Sequence, residues 1–455
     1  MKVRIEYAIL GIVALAMVSI FFEFENRKGY VLPSQLRPYN VHMTNSDRET
    51  TFLWSIGIYP DYCTFSISSS NYTLTKYNQK LYFYYIYKVK IPNNIVHFSS
   101  SYSISCHLSQ ELSSRIFSLH HNIKNKNKIL FLGDFSTSRI GDASNYQHTQ
   151  TYKPNILTIL ENDYDQVSEI WHLGDIAYDL FSLKGLRGEE FLMDLEPFAS
   201  KIPYIAVVGN HEIKSLFRDY QSLFADGLYF SRTIGQSKII AISSEFDFYF
   251  MKPFAFPYKH GYFQYLKQKQ VAWLKKTLEE VDRKVTPWVI VVAHKPLYCS
   301  QNEESSMIMQ VCTIQARVMR DAYEDIFLKY EVDLGIFAHI HLYERTLPVK
   351  HHEIIGDYED TKVFYNPKAP IYVINGVAGN LEGESIVFSI TETPDPWTVL
   401  ITENLGYGIL TVHNFTHLEY RQYGFGYSQW DNAFIDLYPT KHLIDTFLIV
   451  KTSHI

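Results

Sequence analysis

No stretch of this chain is basic enough to neutralise a nucleic-acid backbone. The formal charge is −6 over 455 residues, and the densest cationic run, residues 124–128, is short and interleaved with Asn, which makes it a solvated linker rather than a polymer-binding face. No Gly-rich nucleotide loop, no His-Glu-x-x-His helix and no Gly-x-Ser-x-Gly elbow occurs, so the chemistries those motifs serve have no foothold. Long apolar runs are scarce as well. The one candidate, residues 8–22, follows Met1-Lys2-Val3-Arg4 and precedes Glu23, Glu25, Arg27 and Lys28, and it is shorter than the ~20 residues of a comfortable membrane span. This is the layout of a secretion signal over residues 1–24, but no clean small-x-small cleavage site follows it, so an uncleaved N-terminal anchor is the alternative.

Cysteine is sparse and even in number: Cys63, Cys106, Cys299 and Cys312. That suits oxidation in a secretory compartment and permits three pairings. The local one, Cys63 with Cys106 and Cys299 with Cys312, keeps each pair inside one domain; four buried free thiols is the alternative. Sequons at Asn71-Tyr72-Thr73 and Asn414-Phe415-Thr416 fit the same compartment, extracellular or lysosome-like.

Aromatics are plentiful, 16% of the chain with 35 Tyr and 30 Phe, and large flat side chains suit pleated sheets. The length implies two domains, or one large domain with an appended module. From residue 30 to about 121, short apolar and aromatic runs alternate with Ser/Asn/Pro turns, the pattern of a small β-sandwich. The grammar then changes. Five strand-like runs, residues 129–132, 169–173, 204–208, 288–293 and 332–337, are mostly separated by helical spacing at 156–162, 189–198, 264–281 and 314–330. Alternating strands and helices predict an α/β fold of βαβ units, with residues 238–244 extending the sheet.

What ends those five runs carries the function. They close on Gly133-Asp134, Gly174-Asp175-Ile176-Ala177-Tyr178, Gly209-Asn210-His211-Glu212, His294-Lys295-Pro296 and Ala338-His339-Ile340-His341. A single Gly-Asp pair is ordinarily a turn, and an isolated His a satisfied core residue. Five in order, each offering a ligand-type side chain at a strand's carboxyl end, mark a binding edge. Glycine before three of them allows a sharp turn or a close backbone approach. His339 and His341 project to one side in extended backbone, and two cations ~3.5–4 Å apart can take one each. Asp175 and Tyr178 lie three apart, within reach of one tight turn. Sorting donors by charge gives two sites. Asp134, bridging Asp175, Tyr178 and His341 make an anionic oxygen-rich site suited to a trivalent ion; Asp175, Asn210, His294 and His339 make an imidazole-rich site suited to a divalent one. A phenol with an ordinary pKa of about 10 ligates near neutrality only beside such a charge.

These blocks, in this order, resemble the metallophosphoesterase domain of the purple acid phosphatases, and the Tyr three after the second Asp separates that family from other calcineurin-like relatives. Lys295-Pro296-Leu297-Tyr298-Cys299-Ser300 with Cys312 beyond looks like the animal-type branch. The resemblance implies a metallophosphoesterase β-sandwich flanked by helices over residues 127–347. A fibronectin type III-like module over 30–122 would precede it, and a C-terminal segment over 368–452 would complete it. It implies Fe(III) with Asp134, Asp175, Tyr178 and His341, and Fe(II), Zn(II) or Mn(II) with Asp175, Asn210, His294 and His339. It also implies hydrolysis of small phosphate monoesters. His211, directly after Asn210, is the candidate to meet the transition state or protonate the leaving group, with Glu212 orienting it; a structural His beside the ligands is the alternative. Three positions depart from the family: Ser136 and Ala338 stand where Gly is common, and Gln301-Asn302-Glu303-Glu304 stands where plant members carry extra His, which leaves a second proton donor open. Ala338 preserves the ligand geometry if its φ is negative. Asn375-Gly376 and Gly379-Asn380 read as turns, Glu382 as a solvated loop charge, and Arg345 as either a phosphate contact or a structural ion pair. The rival readings are a phosphodiesterase or nucleotide pyrophosphatase on the same centre, and a non-catalytic secreted binding protein. Oligomeric state is not legible.

Overall fold

A computed structural model describes residues 37–82, 84–108, 111–120, 127–136, 157, 160, 163–224, 227–248, 260–300, 312–380, 394–428 and 441–452. The signal or anchor segment, residues 124–126 of the linker, most of the helical stretch at 156–162, residues 301–304 and Glu382 lie outside the described residues. Among the described residues no helix is long and apolar enough to cross a membrane.

The N-terminal part is all β. Its strands are β1 (Tyr39–Asn45), β2 (Glu49–Ile56), β3 (Tyr62–Ile67), β4 (Ser70–Leu74), β5 (Gln79–Leu81), β6 (Tyr84–Pro92), β7 (Ser101–Leu108) and β8 (Glu111–Ser118). They form two four-stranded sheets, ordered β1-β2-β6-β5 and β4-β3-β7-β8. Between them lie Phe52, Trp54, Phe65, Tyr87 and Tyr102, with Trp54 stacked on Tyr87 at 5.5 Å, the core that the aromatic composition foretells. Cys63 and Cys106 face each other in register on β3 and β7 and are disulfide-bonded, and Cys299 pairs with Cys312. Of the three pairings, the local one is formed.

The second part stacks two seven-stranded sheets. Its strands are β9 (Lys128–Leu132), β10 (Glu169–His172), β11 (Tyr204–Ala206), β12 (Phe230–Ile234), β13 (Ser237–Ala241), β14 (Trp288–Val292), β15 (Leu334–Phe337), β16 (Tyr343–Thr346), β17 (Val349–Lys350), β18 (Glu353–Ile354), β19 (Val363–Tyr365), β20 (Ile371–Asn375), β21 (Thr398–Thr402), β22 (Asn404–Val412), β23 (His417–Ser428) and β24 (Lys441–Val450). The sheets run β11-β10-β9-β22-β23-β24-β19 and β12-β13-β14-β15-β20-β16-β21. All five runs named above contain strands. β9, β10 and β11 are mutually parallel in one sheet, and β13, β14, β15 and β20 in the other.

Alternation explains why these strands are apolar throughout. Ile129, Phe131, Ile290, Val292, Leu334 and Ile336 point between the sheets. Leu130 and Leu132 instead meet helix α1 (Leu186–Ala199), while Val289 and Val291 meet α2 (His260–Glu279) and α3 (Cys312–Lys329). Strands buried on both faces read as continuous hydrophobic runs. Helix α1 also ties the two parts together: Tyr39 donates to Glu189 at 2.8 Å, and the Val41 amide donates to Glu196 at 2.9 Å.

Asn375 ends strand β20 rather than opening a turn, and its amide donates to the Phe131 carbonyl of the other sheet at 2.9 Å. Arg345 is 1% exposed and grips Asp445 through Nε at 2.5 Å and Nη2 at 3.0 Å, with Tyr343 donating to the same carboxylate at 2.7 Å. Of its two readings, the structural ion pair is the one formed. Replacing Asp445 with Ala leaves a buried guanidinium without its counter-charge and is expected to cost about 3–5 kcal/mol, read from denaturant unfolding; a raised KM at unchanged stability would instead make Arg345 a substrate contact.

Candidate metal centre

The carboxyl ends of β9, β10 and β11 in one sheet, and of β14 and β15 in the other, open on one edge, and the main-chain ladder continues past them. Leu173 N donates to Leu132 O, Val207 N to His172 O, and Ala338 N to His294 O, each at 2.8 Å. The donor side chains therefore leave from anchored backbone. Many leave from strained backbone too: φ is +57° at Asp134, +55° at Asp175, +59° at Ala177, +49° at Tyr178 and +72° at His339, the left-handed region that L side chains rarely adopt. The Asp175 to Tyr178 turn is made by this run of positive angles.

His294 is fully buried, and its Nδ1–H donates to the Leu173 carbonyl at 2.8 Å. A carbonyl only accepts, so Nε2 is left to face the centre. Around Nε2 stand Asn210 Oδ1 and His339 Nδ1, each at 3.1 Å, and Asp175 Oδ2 at 3.2 Å. His339 has its other nitrogen committed as well, Nε2 donating to Gln315 Oε1 at 2.7 Å. Four potential ligand atoms thus converge, and without a cation only a proton on His294 Nε2 is placed to link them. Asp175, His294 and His339 are close enough to hold one cation, their ligating atoms all lying within 4.8 Å of one another. The surroundings attract positive charge: burial lowers the His294 pKa, but the Asp175 carboxylate and its hydrogen bond outweigh that and push it up to about 9. Burial likewise raises Asp175, but the charges of His294 and His211 prevail and hold it well below the carboxylate range.

The second group lies beside the first. The Tyr178 hydroxyl is 2.7 Å from His341 Nε2 and 3.2 Å from Asp134 Oδ1, and His341 Nε2 is 3.5 Å from the same oxygen. Asp134 Oδ2 accepts the His339 amide at 2.7 Å, linking the two groups. Asp134, Tyr178 and His341 thus lie on one side and Asp175, Asn210, His294 and His339 on the other. The two histidines reach it by another route than extended backbone, since the positive φ of His339 turns the chain between them.

Two departures from the family pattern fall among the described residues. Ala338 is not among the positive-φ residues, and Gly133 makes room for it, since a Cβ on Gly133 would lie 2.3 Å from that of Ala338. Ser136 is buried and donates its amide to the Gly379 carbonyl at 2.9 Å.

His211 is 4% exposed, packs 4.5 Å from the Tyr178 ring and places Nε2 3.7 Å from Asp175 Oδ2. The group that orients it is Asp179, whose Oδ1 lies 2.8 Å from Nδ1 and 3.0 Å from Lys214 Nζ. Glu212 does something else: it accepts the amides of Gly209 at 2.7 Å, Ile176 at 2.9 Å and Asp175 at 3.0 Å, splinting two strand-end loops together. Burial, followed by the Asp175 charge, pushes its carboxyl up to about 7. Asp179, Gln315 and this role of Glu212 escape sequence reading. Asp179 had a signal, its place directly after Tyr178; Gln315 had none.

A model of the calcineurin-like phosphoesterases matches residues 115–343, and one of the iron/zinc purple acid phosphatase-like protein C matches residues 369–434. Acid phosphatase type 7 of Homo sapiens is 30% identical over 280 residues, 59% of this chain and 61% of the relative. Acid phosphatase type 7 of Danio rerio is 31% identical over 267 residues, 56% and 57% of the two chains. The chain therefore spans less than two thirds of the length of these relatives. The fold is similar to that of a purple acid phosphatase from yellow lupin (Lupinus luteus) seeds, with TM-score 0.69 and 17% identity over 91% of this chain and 75% of that one.

A Cβ on Gly209 would lie 2.4 Å from Asp175 Oδ1 and 3.0 Å from His294 Cδ2. Gly209→Ala is therefore expected to destabilise the fold by about 1–3 kcal/mol and to wedge the two donors apart, lowering metal content on elemental analysis. Unchanged metal content and unfolding would show that the two loops yield freely.

Proposed function

This chain belongs to the calcineurin-like phosphoesterases, whose family model spans half of it, and from that premise we propose that it is an acid phosphatase of the purple type, hydrolysing phosphate monoesters at a dinuclear centre. The observation that carries this reading is the convergence of Asp175, Asn210 and His339 on Nε2 of His294, with Asp134, Tyr178 and His341 alongside. Buried oxygen and nitrogen donors gathered this closely are stabilised by positive charge among them. The donor chemistry suits Fe(III) at Asp134, Asp175, Tyr178 and His341, and Fe(II), Zn(II) or Mn(II) at Asp175, Asn210, His294 and His339. Once bound, the pair supplies Lewis acidity to the phosphoryl oxygens and lowers the pKa of the attacking water.

The chain's own groups do the rest. Asp175, in contact with His294, is assigned to both groups as the bridging carboxylate. His211, held through Nδ1 by Asp179, turns Nε2 toward the centre, where it delivers a proton to the departing alkoxide. Burial raises the Asp179 carboxyl, but the His211 hydrogen bond and the charges of His211 and Lys214 outweigh it and keep it anionic, so it acts as an acceptor that fixes the imidazole. The further assignments form part of the same proposal: a secretory enzyme, with residues 30–122 a separate module, residues 127–347 and 368–452 one catalytic body, and N-glycans on Asn71 and Asn414, both exposed. The two disulfides support that compartment.

Elemental analysis with a chromogenic monoester assay tests the core of the reading. Two cations per chain and hydrolysis abolished by chelation are expected; a metal-free, fully active chain refutes it, and a preference for diesters or nucleotides moves the assignment to the phosphodiesterase alternative. Tyr178→Phe is expected to bleach the visible charge-transfer absorption of a ferric phenolate, and a colourless, fully active native chain would disprove the ferric assignment. His211→Ala is expected to cut kcat by about 10²–10⁴ with metal content intact, while loss of metal would make His211 a ligand support instead.

A further inference from the structure

Asn210 is the one donor of the cluster whose side chain has two ends of nearly equal shape and opposite chemistry, an oxygen that faces a cation well and an NH₂ that cannot. Lys295 holds it oxygen-inward, and the partner of Lys295 comes from a sixth strand end. β13 runs parallel to β14, so its carboxyl end opens on the same edge, where Ser243-Ser244-Glu245 leads into the short helix Glu245–Phe248. Glu245, 3% exposed, accepts from Ser244 Oγ at 3.0 Å and from Lys295 Nζ at 2.6 Å. Lys295, 3% exposed and directly after His294, also donates to Asn210 Oδ1 at 3.2 Å, its ammonium 5.2 Å from the Phe248 ring centre. An ammonium has donors only, so an inverted amide would set NH₂ against NH₃⁺. A buried ammonium beside a cation site is costly unless matched, and Glu245 matches it.

We propose that Glu245 and Lys295 are a buried positioning pair that selects the oxygen-inward rotamer of Asn210 and thereby sets the cation affinity of the group Asp175, Asn210, His294 and His339, leaving the group Asp134, Tyr178 and His341 alone. This rests on the reading of those donors as a dinuclear centre. The pair acts through Asn210 rather than on substrate.

The test is a double-substitution cycle on the full chain, with Zn(II) titrated at the second position and the Tyr178-dependent absorption followed in parallel. Lys295→Met and Glu245→Gln are made together, so that no charge is left buried without its counterpart. In the Asn210 background the loss expected in Zn(II) affinity is at least about tenfold, the scale of an outer-shell support, with the absorption retained. In an Asn210→Asp background the two carboxylate oxygens are equivalent and there is no orientation to select, so the same replacement is expected to cost nothing measurable. Equal losses in both backgrounds, or no loss in the first, overturn the proposal. A wild-type chain that holds fewer than two cations overturns the dinuclear reading itself and this proposal with it, a result distinguishable because it precedes any substitution.

Discussion

A carboxylate oxygen, an amide oxygen and an imidazole nitrogen are packed within 3.2 Å of a second imidazole nitrogen, and the architecture around them holds that arrangement. In a low-dielectric interior such lone pairs repel one another unless positive charge lies among them. The donors cannot relax apart, because the loops that carry them remain hydrogen-bonded to neighbouring loops beyond the last strand residue. Two stacked sheets, each buried on both faces, supply the rigidity. In physical terms, packing energy gathered over the whole core is spent on a local electrostatic demand.

The same transfer is visible in the backbone. Asp134, Asp175, Tyr178 and His339 all sit at positive φ, a conformation that costs an L residue roughly 1–2 kcal/mol. Residues held in sparsely populated regions persist where the surroundings over-determine them, and they cluster at functional sites. Glycine appears where no side chain fits: Gly209 lies against Asp175 and His294, and Gly376 lies against Asp134 and the Ile340 carbonyl. Outside the donors, charge is neutralised locally. Glu212 takes three amides, Asp179 takes His211 and Lys214, and Lys295 takes Glu245.

Much of this was legible along the chain. The runs at 129–132, 169–173, 204–208, 288–293 and 332–337 contain β9, β10, β11, β14 and β15, and the helical spacings at 189–198, 264–281 and 314–330 correspond to α1, α2 and α3. Strands buried on two faces have a strong apolar signature, and metal-ligand side chains are few enough in type to stand out when they recur at strand ends. The supporting residues have no such signature. Gln315 is one polar residue on a long helix, and Glu245 closes a run that reads only as one more strand. Glu212 is next to His211 in sequence yet turns to the Gly209, Asp175 and Ile176 amides, because adjacent residues in a tight 3₁₀ turn point different ways.

By itself, then, the amino-acid order determined the order of the five donor-bearing strands, the residue types at their ends and the chemistry those types can perform, because periodicity and donor identity are local properties of the chain. Tertiary structure decided which donors lie together, which nitrogen of His294 and His339 faces the others, that a left-handed residue turns the chain between His339 and His341, and that Gln315 contacts His339, Lys295 contacts Asn210 and Asp179 contacts His211. Those are relations between atoms up to about two hundred positions apart, set only when two sheets meet, and no single segment of the chain encodes them.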